Sequence, residues 1–284
     1  LLTFSFFSVF LFWFIFIYHL LLNDIYLVKL YKYSTKKFYI KYYFMDFKRV
    51  SRKRTDLREI YFENKFSPYA EGSCLVKFGN THVICTASIE ERVPMWLRGK
   101  QKGWITAEYG MIPRATHSRV DRDISKGKIS GRSQEIQRLI GRSLRSAVNL
   151  NELGERQIKI DCDVIQADGG TRTASISGSW IALHDAIKYL MSQGKITQNP
   201  IKNQVAAISC GIINEEIFID LDYNEDSNAT VDGNFVLTDN KEIIEIQSSS
   251  EQKPISKSNF LKMYELVEGN IEIIFKKQRD ILSS

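Results

Sequence analysis

Asp161-Cys162-Asp163-Val164-Ile165-Gln166-Ala167-Asp168-Gly169-Gly170-Thr171-Arg172-Thr173-Ala174-Ser175 is the stretch on which the reading of the fold turns. It lies within a strand-like segment, Gln157–Gln166, whose Ile158, Ile160, Cys162 and Val164 alternate with Lys159, Asp161 and Asp163. That period of two predicts a strand with one buried face. A helix is predicted over Thr173–Met191, and Gly169-Gly170 turn the chain between the two elements. Backbone N–H groups and the positive end of the helix then converge on one point, which suits an anion. Arg172 would add a guanidinium able to grip phosphate with two hydrogen bonds. The same residues also serve a tight turn with Arg172 solvated. The Gly-Lys-Ser/Thr of a Walker loop is missing.

Outward from this centre, Ser73–Phe78 and Thr81–Ile89 read as strands joined by a Gly79-Asn80 hairpin turn, and Trp104–Ile112 as another strand. Ser133–Leu150 is predicted helical, with Ile136, Leu139, Ile140, Leu144, Ala147 and Val148 on one face and Arg138, Arg142 and Arg145 on the other. Val205–Ile213 with Ile217–Leu221, and Asn234–Leu237 with Glu242–Gln247, read as two hairpins. A closing helix is expected over Ser258–Leu282, with Ser258 as its N-cap. Phe47–Arg58 reads as a basic mobile arm or edge segment, and Thr116–Gly131 as a long basic loop. The body is read as one α+β domain of mixed sheets packed with helices.

The 284 residues carry a net charge of +6, with 44% hydrophobic and 25% charged residues, which excludes a disordered tail or a collagen-like rod. The basicity is uneven. Leu1–Phe44 holds five lysines against Asp24, and 17 of the 34 aromatic residues. The overall pI near 9.0 is therefore no nucleic-acid footprint by itself. Leu1–Leu22 is apolar and uncharged, long enough for a membrane helix, but has no positive residues before it and no small-residue cleavage site. We read residues 1–44 as upstream translation outside the native protein, with a membrane anchor or targeting segment as the alternative, and residues 45–284 as the functional domain. Cys74, Cys85, Cys162 and Cys210 form no Cys-x-x-Cys pair and read as buried free thiols of a reducing compartment.

Gly131-Arg132-Ser133 opens its helix much as the Gly-Gly turn opens the other, which suggests one anion held from two sides. Spacing does not decide whether Arg138 reaches the same anion. Asp226 and Asp232 flank a short polar stretch. They are either ordinary loop acids or, if the loop folds back, a pair able to share a hard cation such as Mg²⁺. Glu225 either assists them or is solvated. Arg114, Arg119 and Arg122 form a basic stripe beside Tyr109 and His117. That stripe suits single-stranded RNA, and equally a solvated or subunit-facing surface. No Ser-His-Asp arrangement is readable, so bound phosphate and metal fit the chemistry better than a protein nucleophile.

At these motifs the chain resembles the ribonuclease PH family. The resemblance is carried by Ala70-Glu71-Gly72-Ser73, Gly103-Trp104-Ile105-Thr106-Ala107-Glu108-Tyr109-Gly110-Met111, Pro113-Arg114-Ala115-Thr116-His117, Glu135-Ile136-Gln137-Arg138-Leu139-Ile140-Gly141-Arg142 and, most specifically, the Asp161–Ser175 run. It covers roughly Arg52 to Gln278. It implies a ribosomal-protein-like α/β fold and a cytoplasmic, phosphate-dependent 3′→5′ exoribonuclease that trims tRNA precursors and releases nucleoside diphosphates. A homohexamer built as a trimer of dimers is implied, with no stable membrane partner. By motif, Arg132, Gly170, Thr171 and Arg172 match phosphate-binding positions. Asp226 and Asp232 match the carboxylates assigned to catalysis and Mg²⁺. Arg114, Arg119, Arg122 and Arg138 are the RNA-binding candidates. The family's Thr-Asp-Met-Asn is Val231-Asp232-Gly233-Asn234 here, which puts the order of that loop in question. The alternative function is a non-catalytic RNA-binding subunit of an exosome-like ring.

Overall fold

The computed structural model describes residues 27–33, 37–43, 49, 52–250 and 254–283. The chain divides into two units, Leu1–Val50 and Ser51–Ser284. In the first, β1 (Leu27–Tyr33) pairs antiparallel with β2 (Lys37–Tyr43), with Leu27 opposite Tyr43. The leader or anchor reading of Leu1–Leu22 lies outside the described residues. Among the described residues no helix is long and apolar enough to cross a membrane.

The second unit contains a five-stranded sheet of β3 (Ile60–Asn64), β4 (Gly72–Phe78), β5 (Thr81–Glu90), β6 (Trp104–Met111) and β7 (Gln157–Gln166), in the order β3-β4-β5-β7-β6. Its pairs are antiparallel except β6 with β7. A parallel pair requires a long crossover. The chain supplies one with α1 (Gly131–Ser146) and α2 (Leu150–Leu153), and α1 packs on β6. The second sheet is antiparallel: β8 (Val205–Ile213), β9 (Glu216–Ile219), β10 (Val231–Thr238) and β11 (Ile243–Ser250), in the order β11-β10-β8-β9. This is the expected α+β architecture.

Helix α3 (Thr171–Ser192) packs on β4, β5 and β7 of the first sheet and on β8 of the second. Most of its residues from Thr171 to Leu190 are buried, small hydroxyl residues among them, as suits a helix between two layers. Small residues permit the approach. A methyl group added at Gly178 would lie 2.6 Å from Val76 Cγ1 and 3.0 Å from Cys85 Sγ. The buried serines stay satisfied: Ser175 and Ser177 donate to the carbonyls of Thr171 and Thr173 at 2.8 and 2.9 Å. Ser177 Oγ also accepts from Ala207 N in β8 at 3.2 Å, tying the helix to the second sheet. All four cysteines are buried free thiols, as expected.

Several boundaries differ from the sequence reading. The closing helix is two helices, α5 (Lys257–Asn270) and α6 (Glu272–Ser283), and the N-cap is Ser256, which accepts from Asn259 N at 3.1 Å, not Ser258. Gly269-Asn270, both weak helix formers, precede the break. The long basic loop contains a 3₁₀ turn at Asp123–Lys126. The segment read as a mobile arm is pinned where it is described. Arg58 donates to both oxygens of Asp220, from Nε at 3.0 Å and Nη2 at 2.7 Å, and from Nη1 to the Asp168 carbonyl at 2.5 Å. Arg52 pairs with Glu225 at 3.1 Å. Burial alone would raise the Asp220 carboxyl; the Arg58 guanidinium outweighs it and holds the group below the ordinary carboxylate value.

Removing one partner of such a buried pair strands the other. Asp220→Ala is expected to lose about 3–5 kcal/mol of unfolding free energy, read from urea unfolding of the purified chain.

Candidate active site

The site forms where the N-terminus of α3 meets the second sheet. Gly169 and Gly170 adopt left-handed φ values of 70° and 64°. A Cβ at Gly169 would lie 2.4 Å from the Leu221 carbonyl and 2.6 Å from Asp222 C, so only glycine lets the turn rest against the 221–222 backbone. Asp168 completes the junction: its Oδ1 accepts from Tyr223 N at 3.2 Å and its Oδ2 from Asn80 Nδ2 at 3.2 Å. No side chain caps the N-terminus of α3. Its first turn therefore presents N–H groups of the kind that bind anions.

Asp226 and Asp232 do not share a loop. Asp226 lies on a short helix, α4 (Tyr223–Asn228), and Asp232 is the second residue of β10. A capping box starts α4: Asp222 Oδ1 accepts from Glu225 N at 2.9 Å, and Glu225 Oε2 accepts from Asp222 N at 3.0 Å. Glu225 is thus buried in a structural role, neither a helper nor solvated. Helix and strand bring the two aspartates close enough to repel. Burial, then the charge of Asp226, push the Asp232 carboxyl up to about 6, against the pull of Arg172 and Arg132. Burial also raises Asp226, and Arg132 and Arg172 offset it. Arg132 and Arg172 thus lie near enough to both aspartates to act on their carboxyls.

Arg172 is not solvated. It is largely buried and donates from Nη1 to Gln247 Oε1 at 2.9 Å, with Glu135 Oε1 3.4 Å from the same nitrogen. Gln247 Nε2 donates to Glu245 Oε1 at 3.1 Å, and Glu245 pairs with Arg142. Gln247 and Glu135 were not singled out in the sequence; only β11 pairing beside β10 brings Gln247 there. The Thr171 hydroxyl is bonded to the buried Tyr109 hydroxyl at 2.8 Å, with either as donor. Tyr109 thus belongs beneath the site, not in the exposed stripe.

Arg132 is exposed at the start of α1, whose N-cap Ser130 accepts from Ser133 N at 3.1 Å. Asp123 Oδ2 accepts from Ser133 Oγ at 2.9 Å and from Ser130 N at 3.2 Å, which anchors the basic loop to that helix end. Arg114, Arg119 and Arg122 are exposed around this loop, and Arg119 pairs with Asp121. Arg138 is exposed on α1, and the arginines acting on Asp226 are Arg132 and Arg172.

The altered Val231-Asp232-Gly233-Asn234 run is ordered strand. Val231 is buried. A Cβ at Gly233 would lie 3.0 Å from the Phe235 ring, 3.1 Å from the Cys210 carbonyl and 3.2 Å from Met263 Cε, so neighbouring groups occupy the space of a side chain. The chemistry of the donor set fits a hard divalent ion. Asp226 is exposed and Asp232 half-buried, and two neighbouring carboxylates of raised proton affinity favour a cation between them; Mg²⁺ commonly takes one or two carboxylates and completes its shell with substrate phosphate and water. Among the described residues no group of three or more His, Cys, Asp or Glu side chains could hold a metal alone.

Comparison with known proteins gives the family and the fold. Residues 56–188 match the family model "3' exoribonuclease family, domain 1", and residues 203–266 match domain 2 of the same family. The chain is 59% identical over 220 residues to Ribonuclease PH of Maricaulis maris, covering 78% of this chain and 92% of that protein. It is 54% identical over 236 residues to Ribonuclease PH of Methylorubrum populi, covering 83% of this chain and all of that protein. Two solved structures share the fold. Rice Rrp46 has a TM-score of 0.66 at 18% identity, over 81% of this chain and 97% of that one. An Archaeoglobus fulgidus exosome chain, from a structure with RNA bound to the active site, has a TM-score of 0.67 at 17% identity, over 80% of this chain and 90% of that one.

Two outcomes are expected. An aspartate raised to about 6 binds its proton more tightly folded than unfolded, so it weighs against folding at higher pH and stops doing so as the pH falls below its folded value. In EDTA, Asp232→Asn should therefore raise Tm at about pH 8, and the gain should vanish as pH falls from about 6 towards 4. Gly233→Met, which restores the family residue, should cost about 1–3 kcal/mol through overpacking, measured by urea unfolding.

Proposed function

The chain belongs to the 3′ exoribonuclease family, as a ribonuclease PH, and we propose that Arg132, Arg172, Asp226 and Asp232 are the centre of its phosphorolytic reaction. The enzyme is a phosphate-dependent 3′→5′ exoribonuclease that trims the 3′ ends of tRNA precursors. The single observation that carries the assignment of the site is the meeting of two aspartates of raised proton affinity, two arginines and an uncapped helix N-terminus.

Inorganic phosphate binds between Arg132, Arg172 and the first turn of α3 formed by Gly170 and Thr171. The arginines and N–H groups neutralise it and aim one oxygen at the phosphorus of the last phosphodiester, so much of the rate gain comes from positioning. A P–O bond forms to that oxygen. The bond to the 3′ oxygen of the preceding nucleotide breaks, and that oxygen takes up a proton. A nucleoside diphosphate leaves, and the RNA is one nucleotide shorter. Asp226 and Asp232 would hold Mg²⁺, which when bound offsets charge on the scissile phosphate. Gln247 bonds Arg172 through a neutral oxygen, so that contact leaves the guanidinium charge for the phosphate. Glu135 Oε1, 3.4 Å from the same nitrogen, is an acceptor that competes with the phosphate. Exposed Arg114, Arg119, Arg122 and Arg138 contact the RNA backbone. The protein works in the cytoplasm as a homohexameric ring, a trimer of dimers.

The test is nucleotide release from a 3′-extended tRNA in Mg²⁺, with and without phosphate. Nucleoside diphosphates that require phosphate are expected, with Arg172→Ala and Asp232→Ala each lowering kcat/KM by about 10²–10³. Monophosphates released without phosphate would instead mark a hydrolase. Binding without turnover in folded wild-type protein would mark the non-catalytic subunit.

A further inference from the structure

Beside the C-terminal end of α1, where Arg145 covers Trp104, the segment Val93–Trp104 presents an aromatic side chain that the reaction does not use. Val93 and Leu97 are buried at both ends of a 3₁₀ turn, Met95–Leu97. Anchored this way, the turn points its middle residues outward: Met95 is 81% and Trp96 56% exposed. Trp96 is nevertheless held. Its ring stands edge-on to Trp104 at 4.9 Å and 86°. The Arg145 guanidinium covers the Trp104 ring at 4.4 Å and donates to the Ile105 carbonyl at 2.8 Å. The following loop is tied down by Gly103 N to the Leu150 carbonyl at 2.7 Å and by Gln101 N to Glu155 Oε1 at 3.1 Å. A rigid, solvent-facing indole costs little entropy when a flat partner stacks on it.

The surrounding charge selects the partner. Val93–Trp104 contains Arg98, Lys100 and Lys102 and no acid; Arg98 and Lys100 are exposed and Lys102 half-buried. Lysine is depleted in protein–protein interfaces. An exposed ring among cations is instead the combination that binds single-stranded nucleic acid, with bases on the ring and phosphates on the cations. Arg145, beneath the platform, is thirteen residues beyond Arg132 on α1, about 20 Å along the helix. A nucleotide stacked there is thus upstream of the reacting 3′ end.

We infer that Trp96, with Arg98, Lys100 and Lys102, is a second RNA-binding site that stacks an unpaired base of the substrate away from the catalytic centre. The inference rests on the assignment of RNA as substrate. It makes the enzyme prefer RNAs long enough to reach both places.

The full chain is compared with its Trp96→Ala, Trp96→Phe and Arg98→Glu/Lys100→Glu variants on a 3′-extended tRNA and on a trinucleotide too short to span the two places. Trp96→Ala is expected to raise KM for the long RNA about tenfold, within the range for loss of one base stack, with kcat unchanged and trinucleotide turnover unaltered. Trp96→Phe should restore most of the affinity. The charge-reversed variant should flatten the dependence of long-RNA affinity on salt. Equal KM values for the long RNA in wild type and Trp96→Ala would overturn the proposal. So would dissociation of the assembly by Trp96→Ala in sedimentation, which would make the knob a contact between copies of the chain. Equilibrium binding of the long RNA, read from quenching of tryptophan fluorescence that Trp96→Ala abolishes, separates the two readings. If wild-type protein turns over neither RNA, the catalytic assignment fails, while the presence or absence of that quench still decides the platform.

Discussion

The burial of α3 between two sheets is the constraint from which the rest of the structure follows. A helix clasped on both sides must be narrow, and this one is narrow where it matters: Gly178 against Val76 and Cys85, and Ala182 against Gly72, where an added Cβ would lie 1.9 Å from the Ala182 carbonyl. Larger side chains at these points would push the layers apart and open voids elsewhere. Serines on the same helix use their hydroxyls within the helix or towards β8, so tight packing leaves them satisfied. A helix fixed this firmly has a fixed N-terminus. Its uncapped first turn lies at the junction of the sheets because the packing behind it allows no other place.

Charge is managed differently at two neighbouring points of that junction. Arg58 and Asp220 neutralise one another in the interior and draw in the carbonyl of Asp168, so the segment before the first sheet, the Gly-Gly turn and the end of β9 are held together. Asp226 and Asp232 lack such a full partner. Arg132 and Arg172 act on both, yet burial leaves each carboxyl above its ordinary value, and the charge of Asp226 raises Asp232 further. The first arrangement is stable as it stands. The second keeps two carboxyls above their ordinary value at some cost to stability, a pattern common at functional centres.

Much of this was legible in particular residues. Alternation in Gln157–Gln166 marked β7, the glycine pair marked the start of α3, and the arginines and aspartates of the proposed centre were all named. What escaped depended on long-range pairing. Asp232 looked like a loop acid because Gly233 interrupts a β-rich run, and only its neighbours β8 and β11 make that residue part of a strand. Gln247 is unremarkable until β11 aligns beside β10. Arg52 and Arg58 sit in a run of cations whose local pattern is that of a solvated arm, and their carboxylate partners Glu225 and Asp220 are more than 160 residues away. Ser258 resembled a helix cap as well as Ser256 does; which serine meets the free N–H is a matter of where the helix docks.

By itself the sequence determined the order of the elements, the chemistry available at the Gly-Gly turn and the family, because periodicity, turn residues and compact motifs are local properties of the chain. Only the tertiary structure decided which charges are buried in pairs, which are left in tension, and which aromatic ring faces solvent. Those depend on the dielectric surroundings and on partners from distant strands, and no window of neighbouring residues contains them.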